Sequence, residues 1–95
     1  IDLVFGISYD DDIRRAKEII ESVLAEDDRI LKDPAPTVGV LELAANSVNL
    51  AVRPWVATPD YWDVFFALNE RMKQRFDAEG IRIPFPQREV HVFQH

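Results

Sequence analysis

Gly80-Ile81-Arg82-Ile83-Pro84-Phe85-Pro86-Gln87 decides how this chain is divided. The glycine ends a helix, a position that favours a residue free of Cβ. Ile81–Ile83 then reads as a short apolar strand, and two prolines bar regular ladder pairing beyond it. Glu89–Phe93 follows as a separate strand, set apart from a unit at residues 1–87. A lone strand at 88–95 leaves its backbone donors and acceptors open and needs a partner. The first functional expectation is therefore assembly rather than catalysis.

Working back from Gly80, Tyr61, Phe65, Leu68, Met72 and Phe76 recur at i, i+4, i+7, i+11 and i+15, the stripe of a buried helix face, which Trp62 and Phe66 widen. Thr58-Pro59-Asp60 reads as its start: a capping hydroxyl, a proline in the first turn and an acid. Before it lies a strand with Val48, Leu50, Val52 and Val56 on one face and Asn49, Ala51, Arg53 and Trp55 on the other. Pro54 belongs at the end of that strand or in a bulge. Ala44–Ser47 is a turn. In Thr37–Leu43, Val38 and Val40 share one register and Leu41 and Leu43 the other. Either both faces are covered or a bulge lies near Val40. Glu26–Pro36 is a charged, proline-containing connection. Upstream, Ile13, Ala16, Ile20, Val23 and Leu24 keep helical spacing to about Ala25, behind the aspartates at 10–12. Ile1, Leu3, Phe5 and Ile7 alternate as a strand. The order β-α-β-β-α-β, plus one extra carboxy-terminal strand, predicts an α+β, ferredoxin-like (split β-α-β) fold. Two right-handed crossovers place both helices on one face of an antiparallel sheet.

Ninety-five residues, 47% of them hydrophobic, support one small domain with a real core. Seventeen acidic residues against eleven basic give a net charge of −6, which argues against nucleic acid or an anionic membrane surface as a partner. Without cysteine there is neither a disulfide framework nor a cysteine zinc site. No apolar run approaches the roughly 20 residues of a spanning helix. The chain opens at Ile1, directly in strand-like sequence, and reads as a piece of a longer protein.

The candidate chemistry has plain alternatives. Asp10-Asp11-Asp12 suits helix capping better than a cation, because three consecutive residues converge poorly on one ion. His91 and His95 lie four apart, roughly 13 Å along a strand, too far to share a metal within one chain. No nucleophile, phosphate loop or paired acid and base stands out. No catalytic, cofactor-binding or metal residue is assigned, and the chain is not read as an enzyme. Arg53 and Trp55, on the strand face away from the core, are either an arginine resting on an indole or part of a covered interface.

Three motifs occur in order: Phe5-Gly6-Ile7-Ser8-Tyr9-Asp10-x-Asp12; Leu43-Ala44-Ala45-Asn46-Ser47-Val48-Asn49-Leu50-x-Val52-Arg53-Pro54-Trp55-Val56; and Phe76-Asp77-x-x-Gly80-Ile81-x-Ile83-Pro84-Phe85-Pro86-Gln87. Together they resemble the carboxy-terminal cytoplasmic domain of the small-conductance mechanosensitive channel (MscS) family. The resemblance implies a homoheptameric ion channel at the cytoplasmic face of an inner membrane, anchored through segments upstream and opened by membrane tension in osmotic protection. It also implies a hollow cage with side portals, closed by a parallel β-barrel of terminal strands. Val90, His91, Val92 and Phe93 would line that barrel interface, and Arg53 and Trp55 a second subunit contact. Glu42 is the candidate portal charge. It is a lone acid between Leu41 and Leu43 where burial would be costly, and the family often carries an acid before this turn. The alternative is a ligand-binding regulatory domain acting as a dimer.

Overall fold

The computed structural model describes residues 1–83. The strand Val48–Arg53, third in the chain (β3), pairs antiparallel on one edge with Leu3–Ile7 (β1) and on the other with Thr37–Leu43 (β2), giving the sheet order β1-β3-β2. β1 and β2 therefore run parallel to each other, and the helix between them, Ile13–Ala25 (α1), is a crossover. The second helix, Tyr61–Glu79 (α2), follows β3 through a 3-10 turn at Thr58–Asp60.

Period-2 alternation puts Leu3, Phe5 and Ile7 of β1 and Val48, Leu50 and Val52 of β3 on one face. Ala16, Ile19, Ile20 and Val23 of α1 and Val64, Leu68, Met72 and Phe76 of α2 close over that face in a single core. Phe5 meets Phe76 edge to face, ring centroids 6.2 Å apart. Both helices thus cover the same side, and the α+β fold is as expected.

The helix ends follow local chemistry. The Asp12 carboxylate caps α1, accepting from the Arg14 and Arg15 amides at 2.9 and 3.4 Å. Gly80 ends α2 at φ 77°, and the Ile81 amide returns to the Phe76 carbonyl at 2.9 Å. Ile81–Ile83 then runs past the end of β1. There the Arg82 carbonyl accepts from the Ser8 amide at 3.1 Å, and the Asp11 carboxylate accepts from the Arg82 amide at 2.9 Å. This is where a fourth strand would join the sheet, but these contacts stop short of a regular ladder. The expected strand at 89–93 lies outside the described residues.

Two local expectations need correction. Thr58 is not the cap but the first residue of a 3-10 turn that Ala57 precedes, with Pro59 inside it, and its hydroxyl makes no capping bond. In α2, Val64 rather than Tyr61 and Phe65 leads the buried row, and Trp62 and Phe66 are 61% and 63% exposed rather than part of it. Tyr61, Trp62, Phe65 and Phe66 pack on one another, with centroids 5.0 to 6.4 Å apart.

The connection after α1 carries an ion cluster. Asp27, only 7% exposed, accepts from Arg29 Nε at 2.9 Å and Nη2 at 2.8 Å, and Arg71 Nη1 of α2 stands 3.7 Å away. The Arg29 hydrogen bonds hold the Asp27 carboxyl below its ordinary range, against the opposing effect of burial. A carboxyl depressed in the folded state adds stability above its unfolded value of about 4 and loses it as pH falls through the lower folded value. Asp27→Asn should therefore lower stability at pH 7 and flatten the loss of stability below about pH 4; urea melts between pH 7 and pH 2.5 check both. Met72→Ala, at a fully buried position, should cost about 2–5 kcal/mol by chemical denaturation.

Candidate subunit interface and its charged edge

The sheet face turned away from the helices is arranged in rows, because directly paired residues share a face. Val4, Ala51 and Gly39 form an apolar middle row, and Gly6, Asn49 and Glu42 form the row beyond it. On the other side Arg53 stands opposite Thr37, and its Nε bonds the Asp2 carboxylate at 2.9 Å. Small residues at 6, 39 and 51 keep the middle of this face shallow. Polar rows flank it on both sides.

The register of β2 changes midway. Val40 faces Leu50, but Glu42 faces Asn49, so Leu41 is an extra residue. This bulge reconciles the two registers seen in the sequence. Val38 and Val40 stay in phase with the helix side, Leu43 rejoins that phase opposite Val48, and Glu42 is turned to the helix-free face. There Glu42 Oε1 accepts from Asn49 Nδ2 at 3.1 Å, and Asn49 Oδ1 accepts from the Ser47 hydroxyl at 2.8 Å. The turn beside them is closed by the Ala44 amide on the Ser47 carbonyl at 2.9 Å and by the Tyr9 hydroxyl on the Ala44 carbonyl.

Among the described residues β2 is also a sheet edge, with Val40, Leu41 and Leu43 exposed, Leu43 to 70%. An unpaired edge with apolar side chains is a surface that other chains can cover. Trp55, 54% exposed, lies just past β3, where its carbonyl accepts from the Leu31 amide at 2.8 Å. Arg53 is engaged by Asp2 across the sheet rather than reserved for the indole, so the two expected interface residues present separate chemistry: an ion pair and a bare aromatic. Glu42 and Arg53 share the helix-free face at opposite ends of the strands. Val90, His91, Val92 and Phe93 lie outside the described residues. Asn49, Ser47 and Tyr9 were missed in the sequence; the conflicting registers of β2 were the available signal.

Among the described residues no group of three His, Asp or Glu side chains could hold a metal ion, and no helix is long and apolar enough to cross a membrane. A groove of about 650 Å³ between the end of α1, the following connection and β2 is lined by Leu24, Ile30, Leu31, Pro36 and Val38 with several charged residues. Asp27, on its wall, is already engaged by two arginines.

Residues 1–83 match the family described as "Mechanosensitive ion channel MscS, C-terminal". The chain is 45% identical over 94 residues to a small-conductance mechanosensitive channel of Edwardsiella ictaluri, covering 99% of this chain and 33% of that protein. It is 43% identical over 94 residues to an uncharacterised MscS family protein of Synechocystis, covering 99% of this chain and 32% of that protein. The crystal structure of Helicobacter pylori MscS in its closed state superposes with a TM-score of 0.84 at 31% identity, covering 90% of this chain and 34% of that one. The chain spans about a third of the length of these relatives. With its sheet, helices and sequence in agreement, it belongs to the MscS family of mechanosensitive ion channels, as their C-terminal domain.

Proposed function

We propose that this domain is a non-catalytic assembly and cage module of a mechanosensitive channel at the cytoplasmic face of the inner membrane. In this reading seven copies surround a vestibule, the membrane-spanning parts lie in upstream segments, and the channel opens under tension to relieve osmotic stress. The observation that carries it is the one-sided build of the domain. Both helices cover one sheet face, which leaves a shallow apolar row, the exposed edge of β2 and Trp55 for neighbouring subunits. The mechanism is passive. Association of subunits builds the chamber, and carboxylates at its openings bias which ions enter by ordinary electrostatics.

Residues 88–95 form the barrel strand in this reading, with Val90 and Val92 to one side and His91 and Phe93 to the other. Deleting them from the full-length channel should weaken the heptamer, read by light scattering of the detergent-solubilised protein, while the domain keeps its fold. Loss of the domain's own folding would instead assign the strand to the core sheet. A stable dimer would favour the regulatory alternative.

Glu42 supplies the portal charge. Glu42→Lys in the full-length channel should shift the reversal potential in asymmetric salt toward anion preference. The shift should be larger at low ionic strength, because screening confines a charge's field to about 10 Å at 0.1 M salt. An unchanged potential at low salt would leave Glu42 an ordinary edge residue.

A further inference from the structure

We propose that Asn49 is a positioning residue for the Glu42 carboxylate, fixing where its charge stands on the helix-free face; this rests on the portal reading of Glu42. A glutamate on an exposed strand has three side-chain torsions and sweeps its charge through several ångströms. Here one carboxylate oxygen is held by the Asn49 amide at 3.1 Å, on the directly opposite residue of the central strand. The amide's orientation is determined by its neighbours. A carboxylate only accepts, so the NH2 end must face Glu42. The carbonyl end then faces Ser47, whose hydroxyl donates to it at 2.8 Å. The chain Ser47 to Asn49 to Glu42 thus runs in one direction, each of its two bonds pairing a donor with an acceptor.

Two backbone features make room for this chain. The extra residue at Leu41 brings Glu42 opposite Asn49; an unbroken register would place Leu41 there and turn Glu42 to the helix side. On the other flank of Asn49, β1 contributes Gly6. A Cβ at that position would stand 3.1 Å from Asn49 Oδ1 and 3.3 Å from Ser47 Oγ, so a side chain there would crowd both members of the chain. All three strands and a turn therefore converge on the placement of one carboxylate.

The consequence is a selectivity effect of a residue that bears no charge. Coulomb interaction falls with distance and is screened, so a carboxylate held at one place keeps a fixed distance from the opening, whereas a freed one spends part of its time turned away into solvent, where it contributes less. The test is a double-mutant cycle in the full-length channel, reading reversal potentials in asymmetric low salt. Glu42→Gln should shift the potential toward anion preference. Asn49→Ala should shift it in the same direction by less, and should add nothing in the Glu42→Gln background. Ser47→Ala, which removes one hydroxyl and frees the amide to turn, should give a smaller shift of the same sign and decides the matter if Asn49→Ala yields no channel. A shift by Asn49→Ala that persists without the Glu42 charge overturns the positioning role. So does a shift by Glu42→Gln with none from the Asn49 and Ser47 variants, and the portal reading then stands. If Glu42→Gln itself is silent, the portal reading falls and this role falls with it.

Discussion

The other elements take their places from β3, among the described residues the one strand bonded along both edges. Its ladder with β1 and its ladder with β2 set two registers at once, and its alternation gives the sheet one apolar face through Val48, Leu50 and Val52. A slip of one residue in either ladder would turn a whole set of apolar side chains outward, so burial locks what hydrogen bonding proposes. The helices answer this face with two rows, Ala16–Ile20–Val23 and Val64–Leu68–Met72–Phe76. Ion pairs between the helices, Arg15 with Glu79 and Arg75 with Glu26, lie on the outer side where solvent weakens them. Packing against β3 therefore carries the fold, and the surface pairs trim it.

That one-sidedness separates stability from function. The inner face is committed to the core, so contacts with other molecules fall to the remaining surface, which includes the opposite face and, among the described residues, the open edge of β2. The bulge at Leu41 sits at the junction of the two. It lets a strand whose Val38 packs against the core deliver an acid to the free face and still return Leu43 to the original phase. An unbroken register would instead have put Leu41 opposite Asn49 and turned Glu42 to the helix side.

The order from β1 to α2, a cap among the aspartates at 10–12, the Gly80 stop and the conflict of registers in β2 that a bulge would resolve were legible in the residues because each is written locally, in period, cap chemistry or a change of register. The phase of early α2 was not. Tyr61, Trp62, Val64, Phe65 and Phe66 place apolar groups on nearly every side of two turns, so spacing alone cannot choose the inner face. The aromatic rings satisfy one another, and the slimmer Val64 goes under. Asp27 left no trace either, since its second arginine lies 44 positions along the chain, and a bridging contact of that kind has no sequence period. Of the candidate site, Glu42 was readable as an acid that would be costly to bury. Its partner was not, because Asn49 meets it only once the bulge has set the register.

The kind of partner that Glu42 has is itself informative. Elsewhere in the described residues the carboxylates that are held are mostly held by cations: Asp2 by Arg53, Asp27 by Arg29 and Arg71, Glu26 by Arg75, Asp77 by Lys73, Glu79 by Arg15. Such pairs fix a side chain and cancel its field together. Glu42 enters no ion pair among the described residues, and its ligand is a neutral amide. An amide fixes a carboxylate without neutralising it, since the hydrogen bond supplies direction while the net charge of the pair stays at −1. For a group whose task is structural this would forgo the stronger interaction. For a group whose task is to project a negative potential from a defined place it keeps both requirements. Glu70 has the same kind of partner, the Gln74 amide at 3.4 Å on the exposed side of α2, so the amide alone does not single Glu42 out; its place at the end of the helix-free face, set by the bulge, does.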